Sequence, residues 1–148
     1  MGMTKVKDAM HPNPHIIQPK DTVKEAAKHM KQKNCGVLPV GSADHIEGMI
    51  TDRDITIRII AEGKDPEKTH VEDVMTKKIH TCEEDDDLVK ASEIMMKHEV
   101  GRLVVVNKSK KVTGILTQAG LLSQCKDHKV LEALAAARKK HSGSGSCH

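Results

Sequence analysis

The run Thr51-Asp-Arg-Asp54 sets a hydroxyl, a guanidinium and two carboxylates side by side, directly after the apolar stretch that ends at Ile50. Carboxylates accept hydrogen bonds from ligand hydroxyls, and a guanidinium adds charge-assisted bonds to an anion. The same residues also suit a plainer role, because Asp52 and Asp54 are good helix N-caps. A second set is His11, His15, Cys35, His80 and Cys82, all able to ligate zinc as neutral imidazole or thiolate. Their spacing carries no metal signature, and no pair among Cys35, Cys82, Cys125 and Cys147 is spaced CxxC. The acidic run Glu83–Asp87 leads straight into a helical pattern, where a solvated loop and the helix dipole account for it. There is no nucleophile elbow, P-loop or HExxH. The chain is expected not to be an enzyme and to hold no resident cofactor or metal.

The elements that position these groups come in two copies. Val6-Lys-Asp-Ala-Met10 returns as Val71-Glu-Asp-Val-Met75, 65 residues on. His15 meets His80, Asp21 meets Asp86, and Ala26 and Met30 meet Ala91 and Met95 at the same offset. After one added residue in the second turn, Gly48-Met-Ile-Thr51 meets Gly114-Ile-Leu-Thr117. Each copy predicts β-α-β-β-α. A short extended segment, His15–Gln18 or His80–Cys82, comes first. Thr22 with Glu25 forms a capping box, and Val23, Ala26, Ala27 and Met30 make one apolar helix face. Asp86 or Asp87 caps the equivalent helix, with Leu88, Ala91 and Met95 as its stripe. Strands follow at Gly36–Val40 and Glu47–Thr51, and at Gly101–Val106 and Val112–Thr117. Asp52 or Asp54 opens the closing helix of the first copy, and Thr69–Glu72 caps a short helix ahead of the second.

The expected organisation is a first repeat over 1–63, a linker over 64–70 with Pro66 as breaker, and a second repeat over 71–125. A C-terminal helix over 126–140 and a disordered Gly/Ser-rich tail over 141–148 complete it. Sheets of such short strands cannot cover both faces alone. The fold class expected is therefore α/β of the α+β type, with two repeats packed sheet to sheet about a pseudo-twofold axis, leaving two clefts.

Composition narrows the function. There is no Phe, Tyr or Trp, so no aromatic ring stacks a base, and the core rests on aliphatics and methionine. The 24 basic and 21 acidic residues nearly balance and are scattered, which argues against a nucleic-acid partner. No apolar run approaches a membrane span and Met1–Met10 lacks a signal-like stretch, so a cytoplasmic location is expected.

The ordered motifs resemble the CBS domain. Its pattern is carried by Val6–Met10, Ala26–Met30, Gly36-Val-Leu-Pro-Val40 and Gly48-Met-Ile-Thr-Asp-Arg-Asp54. The second copy carries it in Val71–Met75, Ala91–Met95, Gly101-Arg-Leu-Val-Val105 and Gly114–Thr117. The resemblance implies a regulatory CBS pair (a Bateman module), often a homodimer. Such a module binds AMP, ADP, ATP or S-adenosylmethionine and passes a conformational change to a partner protein. It implies a ligand cleft built from Met10, His15, Ile16 and Ile17, from Cys35, Gly36, Val37, Leu38 and Pro39, and from Met49, Thr51, Arg53 and Asp54. Asp54 would take the ribose hydroxyls, and Thr51 and Arg53 the phosphate. Ile16, Val37 and Met49 would wall the adenine. The second cleft would use His80, Thr81, Gly101, Arg102, Leu103, Ile115 and Thr117. There Gly120 stands where Asp54 stands in the first copy and Val104 replaces Pro39, so that cleft is expected to be degenerate. The alternative is a ligand-free scaffold, or a redox- or metal-responsive module, of the same fold.

Overall fold

A computed structural model describes residues 4–124 together with His128, Leu131 and Glu132. The expected helix over 126–140 and the tail over 141–148 lie outside the described residues, apart from those three, which are helical. The chain forms two compact units that cut across the repeats. One is Asn13–Ile79; the other joins Met1–Pro12 to His80–His148. The short helix preceding each repeat therefore packs with the body of the other repeat.

In the unit Asn13–Ile79, α2 (Val23–Lys33) begins as expected. The Thr22 hydroxyl accepts from the Glu25 amide at 3.2 Å, and the Glu25 carboxylate accepts from the Thr22 amide at 3.3 Å. The helix ends at Asn34 in the left-handed region, a conformation asparagine tolerates. Val23, Ala26 and Met30 are buried, while Ala27 is exposed, so the apolar stripe is narrower than predicted. Strands β2 (Val37–Gly41) and β3 (Ile46–Thr51) pair antiparallel, with Val37 opposite Thr51 and Pro39 opposite Met49. Leu38, Val40 and Ile50 point into a core with Ile17, Val23 and Ile59. By alternation, Val37, Pro39, Met49 and Thr51 share the other face. Helix α3 (Asp52–Ile55) runs into a π-helical turn, Thr56–Ile60. The lead-in helix α4 (Val71–Val74) packs here too. Its N-cap position is His70, without a side-chain cap; Thr69, expected to cap, instead donates its hydroxyl to the Asp65 carbonyl at 2.8 Å.

In the other unit, α1 (Val6–Ala9) and β1 (His11–Pro12) precede β4 (Thr81–Glu83), α5 (Leu88–His98), β5 (Arg102–Val106), β6 (Val112–Thr117) and α6 (Gln118–Gln124). The sheet order is β1-β6-β5-β4, with β4 parallel to β5 and the other pairs antiparallel. Asp87 caps α5 by accepting from the Lys90 amide at 2.8 Å. Leu88, Ala91, Met95, Leu103, Val105 and Leu116 form the core with Val6 of the lead-in helix.

The two sheets share one plan. Beside β2 and β3, Ile17 bridges to Val40 on one edge and Thr76 to Met49 on the other, where β4 and β1 stand in the second sheet. The extended segment expected at His15–Gln18 is only that bridge. Two prolines account for it: Val104 and Glu84 donate their amides to the carbonyls of His80 at 3.0 Å and Val106 at 2.9 Å, and their counterparts Pro39 and Pro19 have no amide to give. Among the described residues no helix is long and apolar enough to cross a membrane.

Candidate functional site

β3 delivers Thr51 to the start of α3 in an extended conformation (φ −116°). Its hydroxyl accepts from the Asp54 amide at 3.0 Å, and Asp54 Oδ2 accepts from the Thr51 amide at 3.0 Å. This reciprocal box makes Thr51 the N-cap, rather than Asp52 or Asp54 as the sequence suggests. The Asp52 amide donates to the Gly36 carbonyl at 3.0 Å, tying the start of α3 to the start of β2. A Cβ on Gly36 would lie 2.8 Å from Asp52 Oδ2, so glycine is what admits that carboxylate so close.

Asp54 is the one buried charged side chain among the described residues, 8% exposed. Beyond the Thr51 amide its contacts are long. The Thr76 hydroxyl lies 3.3 Å from Oδ1 and 3.4 Å from Oδ2. Arg58 Nε lies 3.9 Å from Oδ1. The Arg58 guanidinium is engaged elsewhere: Nη1 donates to the carbonyls of Val74 at 2.8 Å and Met75 at 3.2 Å, at the end of α4. A cation there suits the negative end of a helix. A carboxylate normally draws hydroxyl donors to roughly 2.5–2.7 Å. Asp54 thus sits nearly out of water while retaining acceptor capacity that no short bond uses.

Val37 and Met49, at 8% and 7% exposed, share the sheet face of Thr51, and Pro39 lies between them in the pairing. Cys35 and Gly36 are half-buried at the head of β2, Ile16 is half-buried, and Arg53 is exposed. Ile17 and Leu38, expected to line the cleft, are instead core residues at 0% and 1% exposed. Met10 does not join this group. It packs in the other unit against Gly114, while Met75 occupies the matching place against Gly48. The lead-in segment of the Asp54 site is therefore the one ending at Met75 and Thr76. Sequence reading missed Met75, Thr76 and Arg58. The repeat offset held the signal: where Asp54 becomes Gly120, Thr76 becomes His11 and Arg58 becomes Gln124.

The counterpart in the other unit keeps the frame without the acid. The Thr117 hydroxyl accepts from the Gly120 amide at 3.0 Å, and the Gln118 amide donates to the Gly101 carbonyl at 2.8 Å. A Cβ on Gly120 would lie 3.0 Å from the Ala9 carbonyl, so α1 approaches closely where Asp54 stands in the first copy. Arg102 pairs with Thr117, Thr81 is exposed on β4, Leu103 is a core residue and Ile115 lies on the opposite sheet face.

His15 and His80 each stack on a histidine of their own unit. His15 and His29 have centroids 3.8 Å apart, and His80 and His98 3.9 Å, with planes tilted by 23° and 17°. Rings stacked flat set their nitrogen lone pairs side by side rather than aimed at one ion 2.0–2.1 Å from each. Among the described residues no three His, Cys, Asp or Glu side chains converge as metal ligands would. Burial, followed by the charge of His29 and Lys33, holds His15 below its usual pKa, against an opposing pull from Asp21. Cys35 and Cys82 are free thiols. Burial, with Asp86 nearby, pushes the Cys82 thiol up to about 12, so it is not a ready thiolate at neutral pH.

Comparison with known proteins agrees with this plan. The CBS domain model matches residues 6–61 and 71–127. The uncharacterized protein YlbB of Bacillus subtilis (strain 168) is 38% identical over 136 residues, covering 90% of each chain. The crystal structure of Hypoxic Response Protein I with two coordinated zinc ions is similar at a TM-score of 0.70 and 27% identity, covering 82% of this chain and 99% of that one. The crystal structure of CBSX2 in complex with AMP is similar at a TM-score of 0.65 and 25% identity, covering 81% and 94%. The chain belongs to the CBS domain family, as a pair of CBS domains.

Proposed function

We propose that this CBS pair is a regulatory module that binds an adenine nucleotide or another adenosyl ligand at Thr51–Asp54 and passes the change to a protein partner. The observation that carries the reading is Asp54, a buried carboxylate held by one 3.0 Å bond from the Thr51 amide and otherwise only by long contacts from the Thr76 hydroxyl and the Arg58 guanidinium. A vicinal diol presents two hydroxyls at a spacing that suits both oxygens of one carboxylate. Val37, Pro39 and Met49 on the same sheet face supply an apolar wall for a flat base, in a chain with no aromatic side chain to do so. Arg53, exposed at the head of α3, would take the phosphate by charge-assisted bonds. The AMP named in the CBSX2 structure supports the ligand class. Without a carboxylate at Gly120, the second site takes no diol in the same way, so one ligand binds per chain. The module acts as a homodimer in the cytoplasm, and its target is another protein.

The test is thermal unfolding followed by circular dichroism, with and without millimolar AMP, ATP or S-adenosylmethionine. A ligand bound only to the folded chain at one hundred times its Kd stabilises it by about 2.7 kcal/mol. The wild type should gain a melting shift with at least one ligand, and Asp54→Asn should lose it. No shift with any of the three sinks the reading.

A further inference from the structure

The Asp54 carboxylate shares its surroundings with the chain segment that holds α4 in place. Thr76 does two things there. Its backbone closes both hydrogen bonds to Met49 on β3, at 2.8 and 2.9 Å. Its hydroxyl forks across both oxygens of Asp54 at 3.3 and 3.4 Å. A diol bonding both of those oxygens must approach along the same forked direction, only closer in, so it and the Thr76 hydroxyl compete for one side of the carboxylate. We infer that the Thr76 hydroxyl holds the place of a ligand hydroxyl on Asp54, so that a diol entering the site displaces it and loosens α4 from the sheet. This inference rests on the Asp54 reading proposed above.

A purely structural role for the contact is answered by the other unit. There α1 seats against β6 in the same manner, with Met10 over Gly114 and β1 paired to β6. Yet His11, Gly120 and Gln124 occupy the positions of Thr76, Asp54 and Arg58, and no such tie exists between them among the described contacts. Seating a lead-in helix therefore does not require the tie. Its presence only beside the acid links it to what the acid binds. Arg58 extends the link, because the guanidinium nearest Asp54 also holds the carbonyls of Val74 and Met75. Occupancy of Asp54 thus reaches the end of α4 through two side chains.

The experiment measures AMP and 2′,3′-dideoxy-AMP binding by calorimetry to wild type, Thr76→Val, Thr76→Ser and Asp54→Asn. Removing the competing hydroxyl should tighten AMP about two- to twelve-fold, the equilibrium weight of one hydrogen bond. Thr76→Ser, which keeps the hydroxyl, should bind like wild type. The dideoxy compound should not distinguish Thr76→Val from wild type. Hydrogen exchange gives a second readout on unaltered protein: AMP should speed exchange at the Thr76 amide. If AMP binds wild type and Thr76→Val equally, or Thr76→Val more weakly, the inference fails while the site stands. If Thr76→Val does not fold, exchange at Thr76 decides alone, and no AMP-dependent change there overturns it. If AMP and the dideoxy compound bind wild type equally, or neither binds, the reading of Asp54 fails and this inference falls with it.

Discussion

The two units answer the same packing problem with different chemistry. Both set a methionine from a lead-in segment over a strand glycine, Met75 on Gly48 and Met10 on Gly114. Both tie the amide that opens the last helix to the carbonyl before the first apolar strand, Asp52 to Gly36 and Gln118 to Gly101. They part at one place. In the unit Asn13–Ile79 a buried carboxylate, a hydroxyl and a guanidinium stand between the sheet and the lead-in helix. In the other unit a glycine lets the helix backbone come close instead. What is shared is apolar and backbone-driven, and it makes the fold. What differs is polar and costly to bury, and only one copy carries it.

The largest effect on stability should come from breaking the shared part in either unit. A Cβ on Gly48 would lie 2.6 Å from the Thr76 carbonyl, and one on Gly114 would lie 2.9 Å from the His11 carbonyl. Backbone atoms cannot step aside as a flexible side chain can. Gly48→Ala and Gly114→Ala should each cost roughly 1–3 kcal/mol in urea denaturation, the usual range for overpacking. Equal losses would confirm that the lead-in helices seat alike; a loss at one glycine only would break the comparison at its base.

A smaller effect separates the helix starts. Thr22 and Glu25 cap α2 reciprocally, whereas Asp87 caps α5 by accepting from Lys90 alone. Thr22→Ala and Asp87→Ala should each cost about 1 kcal/mol. Glu25→Ala should cost less than Thr22→Ala, since the threonine still accepts its own bond. A Glu25→Ala loss as large as that of Thr22→Ala would show that the box acts as one unit rather than two bonds.

Much of this was legible in the sequence, because the repeat shows itself in small and apolar residues whose spacing is fixed by the pleat and the helical turn. Thr22 and Glu25 were readable as a capping box, and β6 and the stripe Leu88, Ala91, Met95 by that apolar spacing. The exchange of lead-in helices was not, since Val6–Met10 and Val71–Met75 fit either body equally well. Assigning Met10 to the Asp54 site followed chain order, and the structure places Met75 there. Thr76 and Arg58 escaped because each looks ordinary alone. Their meaning lies in a shared partner 22 residues from one and four from the other. Pro39 stands out in the sequence as a motif residue, while the loss of a strand at His15–Gln18 follows from the missing amides of Pro39 and Pro19.

The smallest effect is also the sharpest test of whether the stacked histidines behave alike. His15 holds a folded-state pKa below its usual 6.5, chiefly through burial, then through His29 and Lys33, with Asp21 pulling the other way. The folded chain therefore binds fewer protons at this site than the unfolded chain. The linkage carries no penalty well above 6.5, where both states are neutral. As pH falls below that value, the unfolded chain takes up its proton first, and stability drops until the folded ring is protonated too. His15→Gln should flatten the decline in urea midpoint between neutral pH and pH 5 relative to wild type. His98→Gln, which removes the other stack, serves as the matched comparison. A midpoint that falls as steeply in His15→Gln as in wild type would mean that the acid sensitivity of the unit Asn13–Ile79 originates outside this ring pair.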